Sequence, residues 1–180
     1  MIHFSNLKIK TGEIQMISKQ EILDSMKQET KIIKHLGSKV QVAHLDYKPT
    51  ENQRSMNELL QYLTFCALTP MLNIVNGNWE HAEAIAKKSA NVNLENFGEA
   101  MDKQIAEIEK EINKFTEEEL AAKDATLPWG TPVKAGIALV EMVVKTYSAY
   151  RMQLFLYAKS AGLTELNSWD CWIGTDRPKE

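Results

Sequence analysis

Apolar residues return at helical spacing in four stretches of the chain. In the first, Ile22, Met26, Ile33 and Leu36 fall on one face, with Thr30 among them. That is the three- and four-residue rhythm of an amphipathic helix. Ser18 and Glu21 open it as a capping box, each side chain satisfying a backbone donor of the first turn, and Gly37 reads as its stop. A loop with Pro49, Asn52 and Arg54 follows. A second capping box, Ser55 with Glu58, then begins a stripe of Met56, Leu59, Leu60, Leu63, Cys66, Ala67, Met71 and Ile74. A stripe that wide belongs to a well-buried helix. Pro70 lacks the amide that would bond the Cys66 carbonyl, which predicts a kink or break there. Asn76-Gly77 closes the segment, and residues 79–90 suit a short helix.

The third stretch is the most regular: Leu94, Phe97, Met101, Ile105, Ile108, Ile112 and Phe115, a seam close to a heptad. Its outer face offers Lys103 to Glu107 and Glu107 to Lys110 as ion pairs. Thr116 followed by three glutamates reads as another local cap. The fourth stretch follows Pro128-Trp129-Gly130. Thr131 suits an N-cap and Pro132 the first helical position, and the helix should run to Ala161 with Gly162 as its stop. Ile137, Val140, Val144, Tyr147, Leu154 and Tyr157 form its expected buried side. Leu7, Ile9, Ile14 and Met16 in residues 1–16 are expected to cover one end of the bundle. The tail with Trp169 and Trp172 is expected to pack back on it. The reading is a single all-α domain, a four-helix bundle spanning residues 1–180, with an irregular N-terminal segment and a docked C-terminal tail.

Composition narrows the function classes. The 180 residues are 44% hydrophobic and 25% charged, and the 8 glycines and 5 prolines are too few for a turn-rich β-barrel. A formal net charge of −3 gives no basic field for a phosphate backbone, so no nucleic-acid partner is expected. No run of roughly 20 apolar residues stands out as a membrane span, and no basic and then apolar leader opens the chain, so a cytoplasmic setting without membrane association is expected. Cys66 and Cys171 are isolated and read as reduced thiols, Cys66 as an inert core residue.

Candidate chemistry is sparse. His3, His35, His44 and His81 have no partner histidine at helical spacing, and no zinc or nucleophile motif occurs, so each reads as a surface or loop residue and no metal is expected. Glu117, Glu118 and Glu119 read as a solvated helix start. The exception is the fourth helix, where Thr146, Tyr150 and Gln153 share one side beside Arg151. Tyr62 sits among apolar neighbours on the second helix. Polar groups on a face that borders the core need partners, so these residues are either packed with satisfied hydroxyls or line a small polar pocket.

Three stretches carry a resemblance to the DinB/YfiT-like superfamily of bacterial helical bundles, over about Ser18 to Gly162. Tyr47-Lys-Pro49 with Arg54-Ser-Met-Asn-Glu-Leu-Leu-Gln-Tyr62-Leu resembles the lead into that family's second helix. Pro128-Trp-Gly130-Thr-Pro132 is similar to the loop before its last helix. Thr146-Tyr-Ser-Ala-Tyr150-Arg151-Met-Gln153-Leu, continuing to Tyr157-Ala-Lys-Ser-Ala-Gly162, resembles the family's ending, "His-x-x-His-His-Arg-Gly-Gln-Leu" and then "Tyr-Leu-Arg-x-x-Gly". The resemblance implies a divalent metal held by three histidines, at positions that here are Tyr62, Thr146 and Tyr150. Arg151 and Gln153 keep their family identities. Hydroxyl side chains are poor substitutes for imidazole, so the resemblance implies a bundle without its metal or any other cofactor. Such a bundle would be a binding or interaction module, a homodimer as many family members are, with Tyr62, Thr146, Tyr150 and Gln153 as the positions for a small-molecule ligand. The alternative it implies is an enzyme of thiol-dependent S-transferase or isomerase type.

Overall fold

The computed structural model describes residues 17–178. The expectation for Leu7, Ile9, Ile14 and Met16 lies outside that range, as does His3. Four rods form the bundle. α1 is Lys19–Lys39. The second rod is α2 (Met56–Leu63) and α3 (Leu68–Asn76). After the short α4 (Ala82–Ser89) comes the third rod, α5 (Phe97–Ile112), then α6 (Glu117–Ala122). The fourth rod joins α7 (Ala135–Ala138), a π-helical stretch Leu139–Val144 and α8 (Lys145–Ser160). α1 packs on α5 and on the fourth rod. Opposite it, α2 packs on α8, and α3 on α5 and the π stretch. One apolar core runs through all four.

The caps lie where the sequence puts them. Ser18 with Glu21, Ser55 with Glu58 and Thr116 with Glu119 each form both bonds of a capping box. Gly77 (φ 73°) and Gly162 (φ 121°) take the left-handed backbone that ends α3 and follows α8. Gly37 does not stop α1, which runs on to Lys39. It is buried instead, and a Cβ there would stand 2.2 Å from Cε1 of Phe97. The glycine is a seat for an aromatic ring. α1 also buries Leu23 and Ile32, which its expected single face omitted. The Ile32 side is covered by the C-terminal tail, where Gly174 lies against the Ile32 backbone.

The second rod breaks as Pro70 requires, but at Thr64–Ala67, upstream of the proline. A prolyl ring collides with the carbonyl four residues earlier, and Pro70 ends up within the first turn of α3. Gln104 of α5 closes the gap. Its Oε1 accepts from the amides of Ala67 (3.1 Å) and Leu68 (3.2 Å), and its Nε2 donates to the Leu63 carbonyl (2.8 Å). Gln104 is therefore 2% exposed, and it takes the core place expected of Ile105, which is half-buried. On the outer face Lys103 pairs with Glu99 rather than Glu107, and Lys110 with Glu107 as expected.

Thr131 and Pro132 do not start the fourth rod. They belong to a small antiparallel hairpin, β1 (Asp124–Thr126) with β2 (Pro132–Lys134), in which Thr126 faces Pro132. Thr131 accepts the Leu127 amide at 2.9 Å, and Gly130 turns the loop at φ 89°. A proline on an edge strand lacks only a donor that would face solvent. The helix then begins at Ala135. Its π stretch, in which bonds run to the fifth residue rather than the fourth, shifts the phase of everything upstream. Ala138, Leu139, Met142 and Val143 are buried, whereas Ile137 is 54% exposed and Val140 and Val144 are only half-buried. Tyr147, Leu154 and Tyr157, downstream of the shift, are buried as expected.

The tail docks, but not through its tryptophans. Trp169 and Trp172 remain largely exposed at the surface, while Leu166, Asp170 and Cys171 are buried. The stretch Met56–Asn76 is apolar and long enough to cross a membrane, contrary to the first reading of the sequence. In the fold it is the α2–α3 rod, mostly buried in the bundle.

Candidate functional site

Tyr62 lies in the last turn of α2, just before the break, and Tyr150 in the second turn of α8. Packing of α2 on α8 brings the rings to 4.6 Å between centroids, inclined at 60°. Phe65 meets the Tyr62 ring edge-on at 5.1 Å, and the Arg54 guanidinium carbon stands 4.1 Å over the same ring. Both tyrosines are half-buried. Burial pushes the Tyr62 phenol well above its ordinary value, and its hydrogen bond to Tyr150 adds to this, with Arg54 opposing. Tyr62 is a protonated phenol at every physiological pH.

Thr146 and Gln153 face other partners. The Thr146 hydroxyl donates to the Met142 carbonyl at 2.7 Å, turned back on its own helix. Gln153 donates to the Tyr157 hydroxyl at 2.9 Å. It borders an open depression of about 430 Å³, together with Tyr47, Pro49, Gln53, Leu156 and Tyr157. Thus the fold joins Tyr62 to Tyr150, and it places Gln153 on a separate surface.

Cys66 is buried against the Leu63 carbonyl, with its thiol pushed up to about 12 by burial. That suits an inert core thiol rather than a nucleophile. Both cysteines are free.

The positions that the resemblance assigns to metal ligands do not fit a divalent ion. They present two phenols, one of them held protonated, and a hydroxyl already donating to a carbonyl. A guanidinium stands over the Tyr62 ring. Zn²⁺ or Ni²⁺ asks for imidazole, thiolate or carboxylate donors, and the fixed positive charge opposes a dication.

Two polar groupings carry no signal in local spacing. Arg151 stands beside Thr146 and keeps its family identity under the resemblance. It is 6% exposed, donates to the Cys171 carbonyl at 3.1 Å and lies 3.3 Å from Glu29. It also faces the Trp172 ring at 4.8 Å. Glu29 in turn accepts from Ser148. His35 corrects the assignment of the histidines to surface or loop: it is half-buried on α1 against Asp170. His81 keeps a loop position, in the turn before α4, with its Nε2 2.9 Å from the Thr69 carbonyl. His35 and Asp170 are 135 residues apart, so no local spacing could announce the pair.

Comparison with known proteins places this arrangement. No family pattern and no curated protein matches the sequence. The architecture is nonetheless that of a DinB-like helical bundle. A crystal structure of a DinB-like protein, YjoA of Bacillus subtilis, superposes with a TM-score of 0.61 over 83% of this chain and 97% of its own, at 21% identity.

Proposed function

We propose that this protein is a DinB-like bundle whose interior needs no metal, and that it serves as a non-catalytic binding or interaction module. The observation that carries the reading is the Tyr62–Tyr150 pair beneath Arg54. Two aromatic rings and a fixed cation occupy the ground between α2 and α8 where the resemblance expects an ion. With Tyr62 held protonated, the pair offers neither a Lewis acid nor a ready base. A thiol-transfer or isomerase mechanism would have to rely on the protonated phenol or the Arg54 guanidinium, in place of a metal, to polarise its substrate. Of the four positions assigned to a small ligand, Tyr62 and Tyr150 pack on each other and Thr146 bonds its own helix. Gln153, beside the open depression, is the residue left to meet a ligand. A homodimer and a cytoplasmic setting complete the proposal; sedimentation of the purified chain tests the first.

The deciding experiment is metal loading with Ni²⁺, read by elemental analysis after gel filtration. The double variant Tyr62→Phe/Tyr150→Phe should carry the same metal content as the wild type. The triple variant Tyr62→His/Thr146→His/Tyr150→His should gain close to one equivalent. An equivalent of metal on the wild type that disappears in Tyr62→Phe/Tyr150→Phe would overturn the proposal.

A further inference from the structure

Where the C-terminal tail crosses α1, a different set of ionisable groups converges, on residues that play no part in the Tyr62–Tyr150 pair. His35 Nε2 lies 2.8 Å from Oδ1 of Asp170 and 3.8 Å from Oδ1 of Asp176. One ligating atom from each of the three residues falls within 4.8 Å of the others. Asp170 is 4% exposed, and its second oxygen accepts the Asn167 amide at 2.9 Å. One carboxylate oxygen is thereby anchored while the other is aimed at the imidazole. Asp176 is exposed and bonded to the Lys39 ammonium. That bond is the chief reason its carboxyl is held below the usual carboxylate range, with His35 adding to it. A cavity of about 100 Å³ adjoins the group, lined by Asp170, Asp176, Glu165 and Asn167 and by two cationic side chains, Lys39 and Arg177.

We propose that His35, Asp170 and Asp176 form a binding site for a divalent transition-metal ion, Zn²⁺ foremost, which clips the tail to the first helix. One imidazole and two carboxylates make a mixed nitrogen and oxygen donor set of the kind zinc takes, with water completing the tetrahedron. Donors about 2.0–2.1 Å from a tetrahedral zinc stand about 3.3–3.4 Å from one another. The separations of 2.8 and 3.8 Å bracket that spacing, so small side-chain adjustments suffice. The cavity gives the bound water a place. The two carboxylates balance the dication, whereas Lys39 competes with it for Asp176. Metal ligands must be deprotonated, so such binding weakens as the pH falls.

Titration calorimetry of the full chain with Zn²⁺ alone, in a non-chelating buffer, tests this. The wild type should bind one equivalent, and zinc should raise its Tm. Asp176→Asn alters an exposed residue and should fold normally, yet bind zinc more than about 10-fold more weakly, the loss that even an outer partner's removal causes at a metal site. Lys39→Gln, which releases Asp176 from its competitor, should tighten binding, and Asp176→His should retain it. Tyr62→Phe/Tyr150→Phe should bind as the wild type does. Equal zinc affinity in wild type, His35→Gln and Asp176→Asn would overturn the inference, as would a wild type that takes up no zinc. Either failure, with the tyrosine variant still indistinguishable from wild type, leaves the metal-free reading of the α2–α8 interior standing. Zinc lost only in the tyrosine variant would sink both.

Discussion

Replacing Gly37 by alanine should destabilise the protein, although alanine is the better helix former. Gly37 lies inside α1, and on propensity alone the change should gain about 1 kcal/mol. The new Cβ, however, would stand 2.2 Å from Cε1 and 2.7 Å from Cδ1 of Phe97. Phe97 is 3% exposed at the start of α5, so its ring has no open side to swing toward. Forcing a methyl group into such packing costs about 1–3 kcal/mol, and here the overlap is with a rigid ring. The expected net loss is about 1–2 kcal/mol, or about 2–8 °C in Tm at about 2–4 °C per kcal/mol for a domain of this size. A double-mutant cycle with Phe97→Ala, followed by urea unfolding, isolates the cause. Phe97→Ala alone should cost about 3–5 kcal/mol. In that background Gly37→Ala should turn neutral or stabilising, because the obstacle is gone and the propensity gain remains. The sign change gives a coupling energy of about 1–3 kcal/mol. A Gly37→Ala variant that is more stable than wild type, or that behaves identically in both backgrounds, would refute the reasoning.

Two further outcomes follow from buried polar groups. Gln104→Leu keeps the volume but leaves the Ala67 amide without a partner and the Leu63 carbonyl with only the Cys66 thiol, while the Leu68 amide keeps the Phe65 carbonyl; each buried orphan costs about 1–3 kcal/mol. Its urea midpoint should fall by the equivalent of at least about 2 kcal/mol, whereas a neutral result would mean that the break is satisfied some other way. At alkaline pH, Cys66 has a thiol raised by burial from 9.0 to about 12. The unfolded chain therefore loses this proton first. Stability from this group is complete below about pH 9 and is lost as the pH rises toward 12, at up to about 1.4 kcal/mol per pH unit. Urea unfolding between about pH 8 and about pH 10, on either side of the ordinary thiol value of about 8.5, should show a slope that Cys66→Ala flattens; equal slopes would show that the thiol does not titrate in this way.

The bundle was legible because its signals are local. Ser18, Ser55 and Thr116 each specify a helix start within four residues, and the α2–α3 stripe from Met56 to Ile74 is buried at every position named from the sequence. What escaped was non-local or came from a change of period. The π stretch moved Ile137 to the surface, because the sequence was read at one helical period throughout. Gln104 belongs to no apolar pattern, and its place in the core depends on the break it serves, some 36 to 41 residues earlier. Of the candidate site, the meeting of Tyr62 with Tyr150 follows from the pairing of α2 with α8. The destinations of Thr146 and Gln153 depend on side-chain rotamers that spacing cannot supply.

The docked tail also governs when the molecule can be finished. His35 is bonded to Asp170, Lys39 to Asp176 and Gln28 to the Ile173 carbonyl, across separations of 135, 137 and 145 residues. α1 is thus covered by a segment that follows it at a great distance along the chain. While the chain is being synthesised, Ile32 and its side of α1 have no cover until that segment arrives, well after α1 itself can form. Contacts this distant in sequence close late and slow the approach to the native state. A nascent chain halted before Asp170 would hold four formed rods with one apolar flank still bare, so the arrival of the residues around Asp170 sets the moment at which α1 becomes safe from its neighbours.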